Sequence, residues 1–163
     1  MFQVLIVCTG NTCRSPMAEG ILRSLLAPDL GGQIRVSSAG TGAVDGSPAT
    51  ALAIGTAAAK GIDIRSHRAT RLTPELLLGS DLVLCMEPGH VARAQELAPN
   101  AVDRIRLITR TDAEPAHSAD AGVSDPIGGI PSEYEDAFNR IQSHLLRWLP
   151  RIRAAVERSE GVR

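Results

Sequence analysis

The chain has 163 residues, enough for one domain with an apolar core and no need of cross-links. Its formal net charge of −1 excludes a global pull toward nucleic acid or an anionic membrane, so any anion must be met locally. All but one of the 17 basic residues are arginine, Lys60 being the exception, and aromatics (Phe2, Tyr134, Phe138, Trp148) make up only 2% of the chain.

In chain order, "QVLIV" at 3–7 is apolar and β-branched, which predicts a buried parallel strand ended by a turn at Gly10. Pro16 sits where a helix begins, its missing N–H costing nothing in a first turn, and Met17, Ile21, Leu22 and Leu25 recur at helical spacing. "QIRVSSA" at 33–39 predicts a second strand, and Pro48 to Lys60 an alanine-rich helix closed by Gly61. Thr73 caps a short helix with Pro74 at its first position. "DLVLCM" at 81–86 is a third strand, Pro88 to Leu97 a helix, and "RIRLI" at 104–108 a fourth strand. The polar stretch "TRTDAEPAHSADAGVSDPIGG" follows, and a connection that long is usually functional or disordered. Ser132 and Glu135 are spaced as a capping box for the last helix, which Pro150 should kink or end.

Strand–helix alternation predicts an α/β fold of three layers, a four-stranded parallel sheet with helices on both faces. Residues 1–158 form the domain and 159–163 a frayed tail. No segment approaches the roughly 20 apolar residues of a membrane span. The run Phe2 to Val7 is too short for a secretory leader and lacks a basic lead-in. An odd cysteine count fits a reducing compartment. The expectation is a cytoplasmic monomer or weak homodimer that binds no nucleic acid and no membrane.

In such sheets the ligand lies beyond the carboxyl ends of the strands, where Cys8 stands. "VCTGNTCRSP" at 7–16 spaces Cys8 and Arg14 as C-x5-R, with Ser15 next. The backbone N–H groups of Thr9, Gly10, Asn11, Thr12 and Cys13 curl into an anion-binding nest, and the helix near Pro16 adds its positive end. Arg14 closes the ring with a fork that matches two phosphate oxygens. These donors are expected to lower the pKa of Cys8 and make it a nucleophile, with Ser15 donating to the sulfur. Gly10 permits a positive φ, and Asn11 tolerates one while its amide ties the loop. An inert buried cysteine is the bland alternative for Cys8. Zinc at Cys8 and Cys13 lacks a second ligand pair, since His67, His90, His117 and His144 are scattered. No lysine follows the glycine as a Walker loop requires, and no metal or cofactor is expected.

"VCTGNTCRSPMAE" resembles the signature loop of the low-molecular-weight protein tyrosine phosphatase family. The likeness extends through "SSAG", "GIDIRSHRATRLT", "SDLVLCM" and "DPIGG" in family order. It implies metal-independent hydrolysis of phosphorylated protein side chains through a phosphocysteine intermediate. It also implies that Asn11, Ser15, Ser38 and His67 form a polar network that rigidifies the loop, although a solvated surface role fits His67 from sequence alone.

Such chemistry needs an acid for the departing atom and then a base for water. The long loop offers Asp112, Glu114, Asp120 and Asp125, and the family's Asp-Pro pair matches Asp125 and Pro126. Ordinary turn formation also explains an Asp before Pro. Thr12 stands where tyrosine-specific members carry a larger aliphatic residue, the stretch 40–49 has no aromatic, and Ile127 follows Asp-Pro where eukaryotic members carry a tyrosine pair. This pattern is similar to the bacterial protein-arginine phosphatase branch, with phosphotyrosine as the alternative substrate. A thiol-dependent arsenate reductase is a rival, but its cysteine relay is incomplete here, because nothing follows Cys85. A non-enzymatic anion-binding module leaves the thiol without a purpose. Cys13 is a candidate redox partner that forms a protective disulfide with Cys8, or a small residue packed under the loop.

Overall fold

The computed structural model describes residues 1–111 and 120–161. Four parallel strands, β1 (Phe2–Cys8), β2 (Ile34–Gly40), β3 (Leu82–Cys85) and β4 (Ile105–Leu107), form one sheet in the order β2-β1-β3-β4. The helices are α1 (Arg14–Leu30), α2 (Ala51–Ala59), α3 (Pro74–Leu78), α4 (Pro88–Leu97) and α5 (Pro131–Glu160), with a 3-10 turn over Pro99–Arg104.

β1 shows why the fold has two helical layers. Strand side chains alternate between faces. Val4, Ile6 and Cys8 enter the core built with α1, α2 and α5, while Leu5 and Val7 enter the opposite core with α3 and α4. The nucleophile candidate thus lies on the α1/α5 side of the sheet. Trp148 of α5 is fully buried there, and its indole N–H donates to Ile108 O at 2.8 Å. This bond satisfies the polar edge of the largest core side chain.

Several boundaries differ from the sequence reading. α2 starts at Ala51, because Pro48 bridges to Arg68 and the Thr50 hydroxyl accepts from Ala53 N at 3.2 Å. α5 is not opened by Ser132 and Glu135. Glu133 accepts from Ile130 N at 3.0 Å, so the helix begins one residue before Ser132, with Pro131 at its first position. Pro150 does not end α5 either. The acceptor it leaves unused is Leu146 O, on a residue 49% exposed. Ser159 and Glu160 belong to the last turn of α5, and residues 162–163 of the expected tail lie outside the described residues.

Two glycines bring separate segments onto the carboxyl end of the sheet. A Cβ on Gly40, the last residue of β2, would overlap Thr9 O and stand 2.9 Å from Asn11 N. Gly122 has a φ of +77°, and a Cβ there would overlap Met86 O. Val123 N donates to that same oxygen at 2.8 Å, which docks the Asp125 segment against the end of β3.

Candidate active site

Between β1 and α1 the chain turns through Thr9–Cys13. The loop carbonyls are held from outside: Thr41 N donates to Cys8 O, Gly42 N to Thr9 O and Thr50 N to Thr12 O, each at 2.9 Å. His67 Nε2 donates to Asn11 O at 2.7 Å. The C=O and N–H of one planar trans peptide point in opposite directions. Carbonyls fixed outward therefore turn the N–H groups of Thr9, Gly10, Thr12 and Cys13 inward, while Asn11 N reaches Cys8 Sγ at 3.3 Å. Asn11, with φ 56°, supplies the left-handed residue of the turn. Of the two residues able to take that angle, Asn11 takes it rather than Gly10, and its side chain combines the strained angle with the bonds that stabilise it.

The side-chain network has a definite polarity. Asn11 Nδ2 donates to Ser15 Oγ at 2.7 Å and to Ser38 Oγ at 2.9 Å, while Asn11 Oδ1 accepts from Thr70 N at 2.8 Å. Ser38 donates onward to Glu19 Oε2 at 2.5 Å, and His67 Nδ1 lies 3.9 Å from the same carboxylate oxygen. Ser15 Oγ accepts from Asn11, so its own proton is free to go to Cys8 Sγ, 2.8 Å away. The four residues singled out for loop support, Asn11, Ser15, Ser38 and His67, thus meet in one cluster, and Glu19 closes it unforeseen.

For the Cys8 thiol itself, the sequence led to an expected drop in pKa, and the structure gives the reverse direction. Burial pushes the thiol up more than the Ser15 hydroxyl, the Ser15 and Asn11 amides and Arg14 pull it down. Arg14 is weakened in this respect because its charge is already shared. Its Nη1 lies 2.5 Å from Glu87 Oε2 and 2.8 Å from Val123 O, and its Nη2 lies 3.2 Å from Asp125 Oδ2. Arg14 is 1% exposed, and its Nε–H is buried without a partner among the described residues. This N–H is a buried donor still open to an acceptor such as an oxyanion.

Asp125, with its side chain 34% exposed, also accepts from Ile127 N at 3.1 Å through Oδ1. Asp120, the competing acid, is committed elsewhere. It accepts from Thr109 Oγ1 at 2.7 Å and Gly122 N at 3.0 Å, which outweigh its slight burial and hold its carboxyl below the ordinary value. Asp112 and Glu114 lie outside the described residues, as does most of the 110–124 loop. Thr12 is half-buried in the loop, whereas Ile127 is 59% exposed beside Asp125. Cys13 is a free thiol 3.4 Å from Tyr134 Oη and 3.5 Å from Thr50 Oγ1. Cys85 is fully buried at the end of β3, and burial pushes its thiol to about 12, which makes it a core residue rather than a redox relay. No metal-binding cluster occurs among the described residues, and none of their helices is long and apolar enough to cross a membrane.

The comparisons with known proteins agree with this geometry. Residues 3–159 match the family described as low molecular weight phosphotyrosine protein phosphatase, and the chain belongs to that family of cysteine-dependent hydrolases. It is 36% identical over 154 residues to the probable low molecular weight protein-tyrosine-phosphatase EpsP of Ralstonia nicotianae, covering 93% of this chain and 96% of that one. It is 34% identical over 142 residues to the protein-arginine-phosphatase of Geobacillus stearothermophilus, covering 87% and 90%. The crystal structure of the low molecular weight protein tyrosine phosphatase from T. tengcongensis superposes with a TM-score of 0.83 at 35% identity, covering 93% of this chain and 99% of that one.

Glu87, like Glu19, is a site residue that sequence reading missed. Its signal was position alone: it follows "DLVLCM" at the same sheet end as Cys8.

Proposed function

We propose that this chain hydrolyses phosphorylated protein side chains through a phosphocysteine on Cys8, with phosphoarginine as its preferred substrate. The observation that carries the reaction is the convergence of Cys8 Sγ, the unpartnered Nε–H of Arg14 and the Asp125 carboxyl at one sheet end. The Cys8 thiol gives its proton to the entering phosphoryl dianion, and the sulfur attacks phosphorus as a thiolate, with Ser15, Asn11 N and Arg14 stabilising the anion against its burial. The bond from phosphorus to the leaving atom breaks, and that atom takes a proton from Asp125. Water then attacks the phosphocysteine, Asp125 takes its proton, the S–P bond breaks, and phosphate leaves with the thiolate restored. The inward N–H groups and Arg14 match the equatorial oxygens in both transfers.

Asp125→Asn is expected to slow turnover by about 10²-fold or more on substrates with poor leaving groups and much less on p-nitrophenyl phosphate. Steady-state rates on the two substrate types check this. Equal losses on both would remove Asp125 from the acid role.

The preference for phosphoarginine rests on the walls of the pocket. Thr12 presents a hydroxyl to a polar guanidinium where a longer aliphatic chain would suit a phenyl ring. Tyr134, Phe138 and Trp148 are buried in the core, and Phe2 stands at the far end of β1, so no aromatic among the described residues is available to stack on phosphotyrosine. The similarity to EpsP favours phosphotyrosine as the second reading. Comparison of kcat/KM on phosphoarginine and phosphotyrosine peptides decides between them. Thr12→Ile is expected to shift the ratio toward phosphotyrosine by about 10-fold or more, from added apolar contact and a lost hydroxyl. A wild type that prefers phosphotyrosine, with a ratio that Thr12→Ile leaves unchanged, would overturn the preference.

We also propose that, when peroxide oxidises Cys8 to its sulfenic acid, Cys13 attacks that sulfur, water leaves, and the disulfide so formed protects Cys8 from overoxidation. Reversal of peroxide inactivation by dithiothreitol supports this, and irreversible inactivation contradicts it.

A further inference from the structure

His90, in the first turn of α4, is 5% exposed and touches the loop directly. Its Nδ1 accepts from Glu87 N at 3.1 Å. With that lone pair in use, the neutral ring carries its proton on Nε2, which lies 2.8 Å from Thr9 Oγ1. The Nε2–H therefore donates to Thr9, the residue immediately after the nucleophile. Thr9 Oγ1 also lies 3.5 Å from Arg14 Nη2, and the Glu87 carboxylate holds Arg14 Nη1. One imidazole thus braces both the start of the loop and the backbone of the residue that aims the guanidinium.

We infer that His90 is a positioning residue, whose neutral Nε2–H tautomer ties Thr9 to the start of α4 and keeps the loop and Arg14 in register. The inference rests on the phosphatase reading, and it adds a residue to that site. Its pH behaviour follows from the surroundings. Facing the ring are Arg14 from α1, Glu87 at its own helix start, Asp125 from the acid segment and the Thr9 hydroxyl. Burial first and Arg14 second hold the imidazole below its ordinary value, against the opposing pull of Glu87 and Asp125. A pKa depressed in the fold means that the unfolded chain takes up the proton first. The tie is therefore intact at neutral pH; its contribution to stability falls as pH drops below the ordinary imidazole value, and the tie itself is lost as pH falls through the lower value of the folded ring. A proton on Nδ1 would confront the Glu87 N–H with a second donor.

Two substitutions separate the contacts. Asn at 90 keeps an acceptor for Glu87 N but is too short for Thr9, whereas Gln keeps a donor that reaches Thr9. His90→Asn is expected to lower kcat/KM on a phosphopeptide by about 10-fold, mostly through kcat, as expected for loss of one loop-orienting bond of about 1.4 kcal/mol. His90→Gln is expected to recover to within about 3-fold of wild type, with a flatter acid limb in its pH profile. In the wild type, the 15N shifts of His90 at neutral pH are expected to report Nε2–H, which needs no variant to fold. Full activity in His90→Asn, equal losses in Asn and Gln, or an Nδ1–H tautomer would each overturn the inference. A wild type that releases no phosphate, or a Cys8→Ser protein that does, would instead overturn the phosphatase reading, while the tautomer measurement still stands.

Discussion

Cys8→Ser is expected to abolish turnover, by about 10⁴-fold or more, while the protein stays folded and still binds phosphate or vanadate. Both halves follow from the geometry. A serine hydroxyl is a far poorer nucleophile than a thiolate at any accessible pH, so the covalent step stops. The substituted oxygen, however, keeps the partners that surround the sulfur, Ser15 Oγ and Asn11 N, and so it is not left buried and unsatisfied. In the proposed site the oxyanion is held by N–H groups and Arg14, none of which depends on the sulfur. Phosphate release assays, thermal melts and titration with vanadate check the three parts. Residual phosphatase activity near wild type would remove Cys8 from the reaction.

Arg14→Lys is the second large effect, a loss in kcat on the order of 10²–10³-fold with a much smaller change in stability. Lysine keeps the positive charge, so a role as a mere counter-ion would leave activity nearly intact. The guanidinium does more than that. It spans Glu87, Val123 O and Asp125 with its two terminal nitrogens, and its buried Nε–H has no partner among the described residues. An ammonium meets one or two of these at most and has no planar fork. Glu87 and Asp125 are 37% and 34% exposed, so water solvates whichever carboxylate the lysine abandons. Comparison of kcat with the melting temperature separates catalytic loss from unfolding.

The α/β architecture was legible in the sequence because short apolar runs alternate with helical spacing, and the loop at 8–15 was legible because its chemistry is local in the chain. Position in the final sheet was not. The order β2-β1-β3-β4 depends on which edges pair, which side-chain alternation does not encode. Glu87 and His90 escaped for the same reason: they come 73 and 81 residues after their partners Arg14 and Thr9. Helix ends were misread where two caps compete, as with Glu133 against Glu135 at the start of α5. The direction of the Cys8 shift was misread because a motif displays its donors but not the burial that opposes them. Propensity left the left-handed angle open to both Gly10 and Asn11, and Asn11 takes it because its amide is held on three sides.

The central claim is that sulfur at position 8 carries the phosphoryl group in transit. Rapid quenching during turnover of a phosphopeptide, followed by digestion and mass spectrometry, tests it most directly. The account predicts one phosphoryl group on the peptide containing Cys8, absent from Cys8→Ser and enriched in Asp125→Asn if hydrolysis of the intermediate is slowed more than its formation. Steady turnover with no phosphorylated Cys8 peptide at any quench time would contradict it.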